Sequence, residues 1–162
     1  MLNSSDLNRV TAMVNPFDLK NTLLARHAQH VVLVHFPIAL FIVGVAFDLI
    51  ALCRKRRAFA DAAFLNLSVA AIFTIPVIAT GLLAWQFALE GQTIKGILRL
   101  HLVFGLISSL TIWAVWILQF LDRRPGAIPF PPNCRVTLEL AGAILIAITG
   151  HLGGFLSGVN GP

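Results

Sequence analysis

The sequence predicts an all-α, polytopic membrane protein, a four-transmembrane-helix up-and-down bundle, on two observations. First, 57% of the 162 residues are hydrophobic and 12% charged, where soluble domains run at roughly 45–50% and about 25%. Second, four uninterrupted apolar segments stand out: Val31–Cys53, Ala62–Leu89, Leu100–Leu121 and Val136–Leu156. Each has at least the roughly 20 residues that cross about 30 Å of hydrocarbon at about 1.5 Å per residue. The alternating pattern of a membrane β-barrel is absent from the sequence.

The net charge of +5 is not a nucleic-acid footprint, because the basic residues gather in short loops rather than on one face. Arg54, Lys55, Arg56 and Arg57 follow the first segment, and Arg123, Arg124 and Arg135 bracket the connection between the third and fourth. By the positive-inside rule the first and third loops are expected in the cytoplasm of a bacterial inner membrane, with both termini on the periplasmic side. Cys53 and Cys134 then sit at a reducing boundary, where no disulfide is expected.

Residues 1–29 read as an N-terminal interfacial leader and 30–159 as the four-helix transmembrane domain. In the leader, Ser5-Asp6 can cap a short turn that Asn15-Pro16 breaks, and Phe17 to Ala28 is expected to lie at the interface. Pro37 either starts the regular part of the first helix or kinks it, and Pro76 implies a kink in the second. Asp48 has two readings: a carboxylate meeting an arginine at the cytoplasmic interface, or part of a proton path that could also involve Glu139. Trp85 suits the outer aromatic belt, and Glu90-Gly91 ends the second helix. The proline-rich stretch Ala127 to Asn133 is expected to be stiff and extended. Gly150, Gly154 and Gly158 form a smooth ridge on the fourth helix, suited to close approach by a helix or a flat ligand. No internal repeat is apparent.

The candidate site is a layer of histidines. In an antiparallel bundle the starts of odd helices and the ends of even ones share a side, which gathers His30, His35, His101 and His151 near the periplasmic surface. His27 is expected outside that layer. Imidazole is costly to bury in hydrocarbon without a partner, so four in one layer suggest a ligand-holding site. Diagonal helices stand about 11–14 Å apart, from a neighbour spacing of about 8–10 Å. That span suits two imidazoles reaching one iron from opposite sides. His35 and His101, on the diagonal first and third helices, are the expected axial ligands of a b-type haem. His30 and His151 would then contact haem propionates or a quinone headgroup, or supply another axial pair. Gly81, Gly105, Gly150 and Gly154 are expected to clear space for the porphyrin. No Cys-x-x-Cys-His attachment sequence is present, so the haem would be non-covalent.

The motifs His30…Val34-His35-Phe36-Pro37-Ile38-Ala39-Leu40, Asp48-Leu49, Thr80-Gly81, His101…Gly105 and Thr149-Gly150-His151-Leu152-Gly153-Gly154 together resemble the predicted membrane proteins of domain of unknown function 2231. The resemblance spans about His30 to Val159 and implies a four-helix bacterial inner-membrane protein similar to b-type cytochrome bundles. Some members of that family are joined to Rieske-type domains, which implies electron-transfer company. Two departures stand out: Val31 replaces the proline usual after the first histidine, and no attached soluble redox domain is expected. The donor is therefore expected on another chain. The expected function is that of a membrane subunit in a respiratory or photosynthetic complex, passing electrons between a periplasmic partner and a quinone or a larger assembly. Two alternatives stand beside it, a cofactor-free structural subunit and a His-rich metal-handling protein.

Overall fold

The computed structural model describes residues 26–87, 91, 93–126 and 130–157, with side chains from Gln29 onward. Four helices account for nearly all of them: α1 Arg26–Arg54, α2 Arg57–Phe87, α3 Gly96–Asp122 and α4 Pro132–Leu156. All four are long and apolar enough to cross a membrane. They form the expected all-α bundle, and no strand occurs among the described residues.

The helices outrun the apolar segments that predict them. Helix α1 begins at Arg26, α2 at Arg57, α3 at Gly96 and α4 at Pro132, because polar residues flanking a span can continue its hydrogen-bond ladder where water or headgroups solvate their side chains. Pro132 heads α4 rather than sitting in an extended loop, since proline's missing donor costs nothing in a first helical turn. Both Pro37 and Pro76 lie inside continuous helices. The first helix therefore does not start at Pro37, which is buried about three turns in. The expected segments Ser5 to Val14 and Phe17 to residue 25 fall outside the described residues, as do Glu90, Gly158 and residues 127–129.

Helix α1 packs mainly on α2, and α3 on α4, while α2 with α3 and α4 with α1 close the ring more thinly. That order leaves α1 and α3 on a diagonal. The core is formed by Phe41, Val45, Leu67, Ala70, Ala71, Ile112, Val115 and Ile146. Large apolar side chains also cover the outside; Leu110 is 69% exposed and Leu65 64%. In water such a surface would be an aggregation hazard, whereas in a bilayer it is the lipid-facing side.

Two indoles join the hairpins. Trp113 donates from Nε1 to Thr74 Oγ1 at 2.9 Å, and Trp116 from Nε1 to Ser68 Oγ at 2.9 Å. At the end carrying the Arg54–Arg57 block, Arg123 donates to Asp61 at 2.7 Å and Arg135 bridges three acidic side chains. Cys53 and Cys134 are exposed free thiols at that same end.

Small residues set the closest crossings. A Cβ on Gly142 would lie 2.8 Å from Phe41 Cζ and 3.0 Å from Thr111 Cγ2, and the Phe41 ring is fully buried. Gly142→Ala is expected to cost about 1–3 kcal/mol through overpacking, read as a lower unfolding midpoint in mixed detergent micelles. Leu110→Ala, on the lipid-facing side, should stay within about 0.5 kcal/mol.

Candidate functional site

Of the four expected histidines, the structure brings two together. The rings of His30 on α1 and His101 on α3 lie across the bundle diagonal, with centroids 6.4 Å apart and planes at 85°. Both rings are held in the same way. His30 donates from Nδ1 to Val77 O at 3.1 Å and also lies 3.3 Å from Thr80 Oγ1. His101 donates from Nδ1 to Thr149 O at 3.1 Å. A carbonyl can only accept, so each Nδ1 carries the proton and Nε2 is the other, distinct ring nitrogen.

The glycines explain how an imidazole reaches a helix carbonyl that already accepts from its own helix. Gly81 and Gly153 each stand one turn beyond the accepting residue. A Cβ at Gly81 would lie 3.0 Å from His30 Cε1, and one at Gly153 3.1 Å from His101 Cε1. Any other residue would crowd the ring away from the carbonyl, which is the close-approach use of glycine. The partners are 47 and 48 residues apart in sequence, so the two hairpins repeat one device. This likeness lies in the contacts and leaves the absence of a sequence repeat as read. It is carried by three scattered positions per hairpin, too few for sequence self-similarity to register.

Thr149 serves both sides of this joint. Its hydroxyl donates to Leu145 O at 2.8 Å, which leaves Ser108 as the donor in the 3.0 Å contact between their hydroxyls. The Thr80 hydroxyl turns back to Pro76 O at 2.8 Å and Val77 O at 3.1 Å. Both threonines thus satisfy their own polar groups while shaping a histidine seat.

His35 and His151 are exposed on the outside of the bundle. His35 donates from Nδ1 to Val31 O of its own helix at 2.6 Å, and His151 stacks edge-on against Phe155 at 5.0 Å. The structure therefore does not bring His35 to His101. The glycines also divide. Gly81 lies beneath an imidazole rather than beside an open slot; a Cβ at Gly105 would face Thr149 Cγ2 at 3.7 Å; one at Gly150, which is exposed, would meet nothing within 4 Å. Gly154 is half-buried, and its carbonyl accepts from Ser157 Oγ at 3.1 Å. Gly153, not singled out by the ridge pattern, is the glycine that seats His101.

A signal for the inward-facing histidine is present in the sequence. His30, Val34, Pro37, Phe41, Gly44 and Asp48 follow a stripe of threes and fours, as do His101, Gly105, Ser108, Ile112, Val115 and Gln119. Those stripes face the core. His35 lies about 140° around the helix from His30 at about 100° per residue, and so points elsewhere.

The seats make a direct expectation. Gly81→Ala and Gly153→Ala should each destabilise the bundle by about 1–3 kcal/mol, while Gly150→Ala should stay within about 0.5 kcal/mol. Unfolding midpoints of the three variants in detergent check it; equal losses at Gly150 and Gly153 would refute the assignment of the seats.

Neither a curated protein nor a solved structure matches the chain. The family model described as "Predicted membrane protein (DUF2231)" matches residues 26–161. That match runs from the first residue of α1 to beyond the end of α4 and takes in both histidine seats, so the chain belongs to the DUF2231 family of predicted membrane proteins.

Proposed function

We propose that this membrane protein holds one b-type haem between His30 and His101 and serves as an electron-transfer subunit of a larger membrane complex. The observation that carries the reading is the separation of the two rings. An iron bound by two imidazoles has each nitrogen at about 2 Å and each ring centre about 1 Å behind it, which puts the centroids about 6 Å apart. The observed 6.4 Å fits that span. Nδ1 bonded to a backbone carbonyl is also the usual support of a ligating histidine, because it fixes the ring orientation and makes the other nitrogen a better donor to metal.

His30 thus takes the place that the sequence pattern suggests for His35. A haem supplies one-electron chemistry; the chain's own contribution is to orient the imidazoles, enclose them with Thr80 and Thr149, and exclude water. A His-rich metal site finds less support, since no group of three or more metal-ligating side chains occurs among the described residues. The reading puts the histidine end at the periplasmic face of a bacterial inner membrane, because the Arg54–Arg57 block favours the cytoplasm at the other. Exposed His35 and His151 at that end are the groups available to a quinone headgroup or a partner subunit.

The absorption spectrum of the protein purified from a haem-producing host tests the proposal. A reducible Soret and α-band spectrum is expected, lost in both His30→Ala and His101→Ala and retained in His35→Ala and His151→Ala. A featureless visible spectrum from folded protein overturns it in favour of a cofactor-free structural subunit. Haem retained in His30→Ala but lost in His35→Ala would restore the other axial pair.

A further inference from the structure

About five turns along α1 and α3 from the histidines, about 27 Å at 1.5 Å per residue, lies a second buried polar cluster that the haem reading does not use. Asp48 and Glu139 are 3% and 0% exposed, and both flank Arg135. Arg135 Nη2 lies 3.0 Å from Asp48 Oδ2 and Nε 3.8 Å from Glu139 Oε1, while Nη1 donates to Asp122 Oδ2 at 3.1 Å. One guanidinium therefore faces three carboxyl groups. Asp122 has a further donor, the Phe130 N–H at 2.8 Å, and sits at the edge of the cluster. Among the described residues Glu139 has one hydrogen bond, from the neutral amide of Gln119 to Oε1 at 3.1 Å.

Glu139 Oε2 is buried with no hydrogen-bond donor among the described residues, whereas Asp48 accepts from Arg135 Nη2 at Oδ1 (3.3 Å) and keeps only the ion-pair contact at its buried Oδ2. An ionised Glu139, fully buried with one neutral donor, is severely under-solvated, and two carboxylates sharing one arginine leave a net buried negative charge. A single added proton removes the excess charge of the Asp48–Glu139 pair against Arg135 and supplies a donor where Glu139 Oε2 has none. A cleft of about 320 Å³ leads to the cluster, lined by Asp48 and Arg135 at its inner side and by exposed Lys55, Arg56 and Arg57 at its mouth.

We propose that Asp48 and Glu139 form a proton-binding site, holding one exchangeable proton between their carboxyl groups and loading it through this cleft. The step is simple protonation: one carboxylate takes a proton from water to become a carboxylic acid, with no other bond changed. The charged and titratable groups around the pair are Arg135 on α4, Asp122 and Arg123 on α3, Arg57 and Asp61 on α2, and Lys55 and Arg56 between α1 and α2. Asp61 is exposed and already paired with Arg123 at 2.7 Å, so it does not compete for the proton. The site is independent of whether His30 and His101 hold haem.

Infrared spectroscopy of the full chain in vesicles of neutral lipid tests this. At neutral pH one carboxylic-acid C=O band per chain is expected, shifted on mixing into D2O and bleached as pH is raised. Glu139→Gln and Asp48→Asn should each remove it, and Asp61→Asn should leave it intact. Absence of the band from the unaltered protein at neutral pH overturns the proposal without recourse to any variant. A band surviving in both Glu139→Gln and Asp48→Asn overturns it equally, and a band that fails to shift in D2O overturns loading through the cleft.

Discussion

The histidine end depends on one contact made twice: an imidazole N–H donated to a helix carbonyl, with glycine in place one turn further on. A helix carbonyl is already committed to its own ladder, but it has two lone pairs. A ring from a neighbouring helix reaches the second here over a residue that has no Cβ. Gly81 and Gly153 provide that access, and through it two polar rings are stabilised in an apolar bundle at a cost of two side chains. The same contact fixes each ring against the helix that holds it, with Cε1 packed on the glycine and Nδ1 on the carbonyl. His30 and His101, anchored on different neighbours, are thereby held with their ring centroids 6.4 Å apart.

The rest of the buried polarity obeys the same rule of local satisfaction. Thr74, Ser108 and Thr149 bond to their own helices or to a partner across an interface, and Thr74 and Thr149 do both. Asp48, Glu139 and Arg135 depart from it, each retaining a buried atom without a hydrogen bond among the described residues. One end of the bundle is thus built from neutral groups that close on themselves, and the other from charges that do not. The contrast separates a site that orients from a site that can gain or lose charge.

Much of this architecture was legible in the sequence, because membrane spans announce themselves by apolar length alone. The four helices, their up-and-down order, the diagonal relation of α1 and α3 and the gathering of the histidines at one end all follow from span count and parity. What parity does not supply is rotation. His30 and His35 lie within two turns at one helix start, and choosing between them requires the inward face of α1. That face is marked by Phe41, Gly44 and Asp48, yet in a helix apolar on every side the stripe has little contrast. Gly153 was obscured for a related reason: next to Gly150 and Gly154 its role shows only when the partner ring is in place. The departures at the helix ends have a different origin, since apolar length marks where hydrocarbon begins rather than where hydrogen bonding stops.

The uneven packing of the four helices bears on how the chain is made. Helices α1 and α2 meet intimately, as do α3 and α4, while the seam between the pairs is thin and fastened by the indoles of Trp113 and Trp116. Each pair contains a complete seat for its own imidazole, so during synthesis each can leave the insertion machinery as a finished unit with its costly polar ring already sheltered. The meeting of the two rings, by contrast, requires both pairs at once.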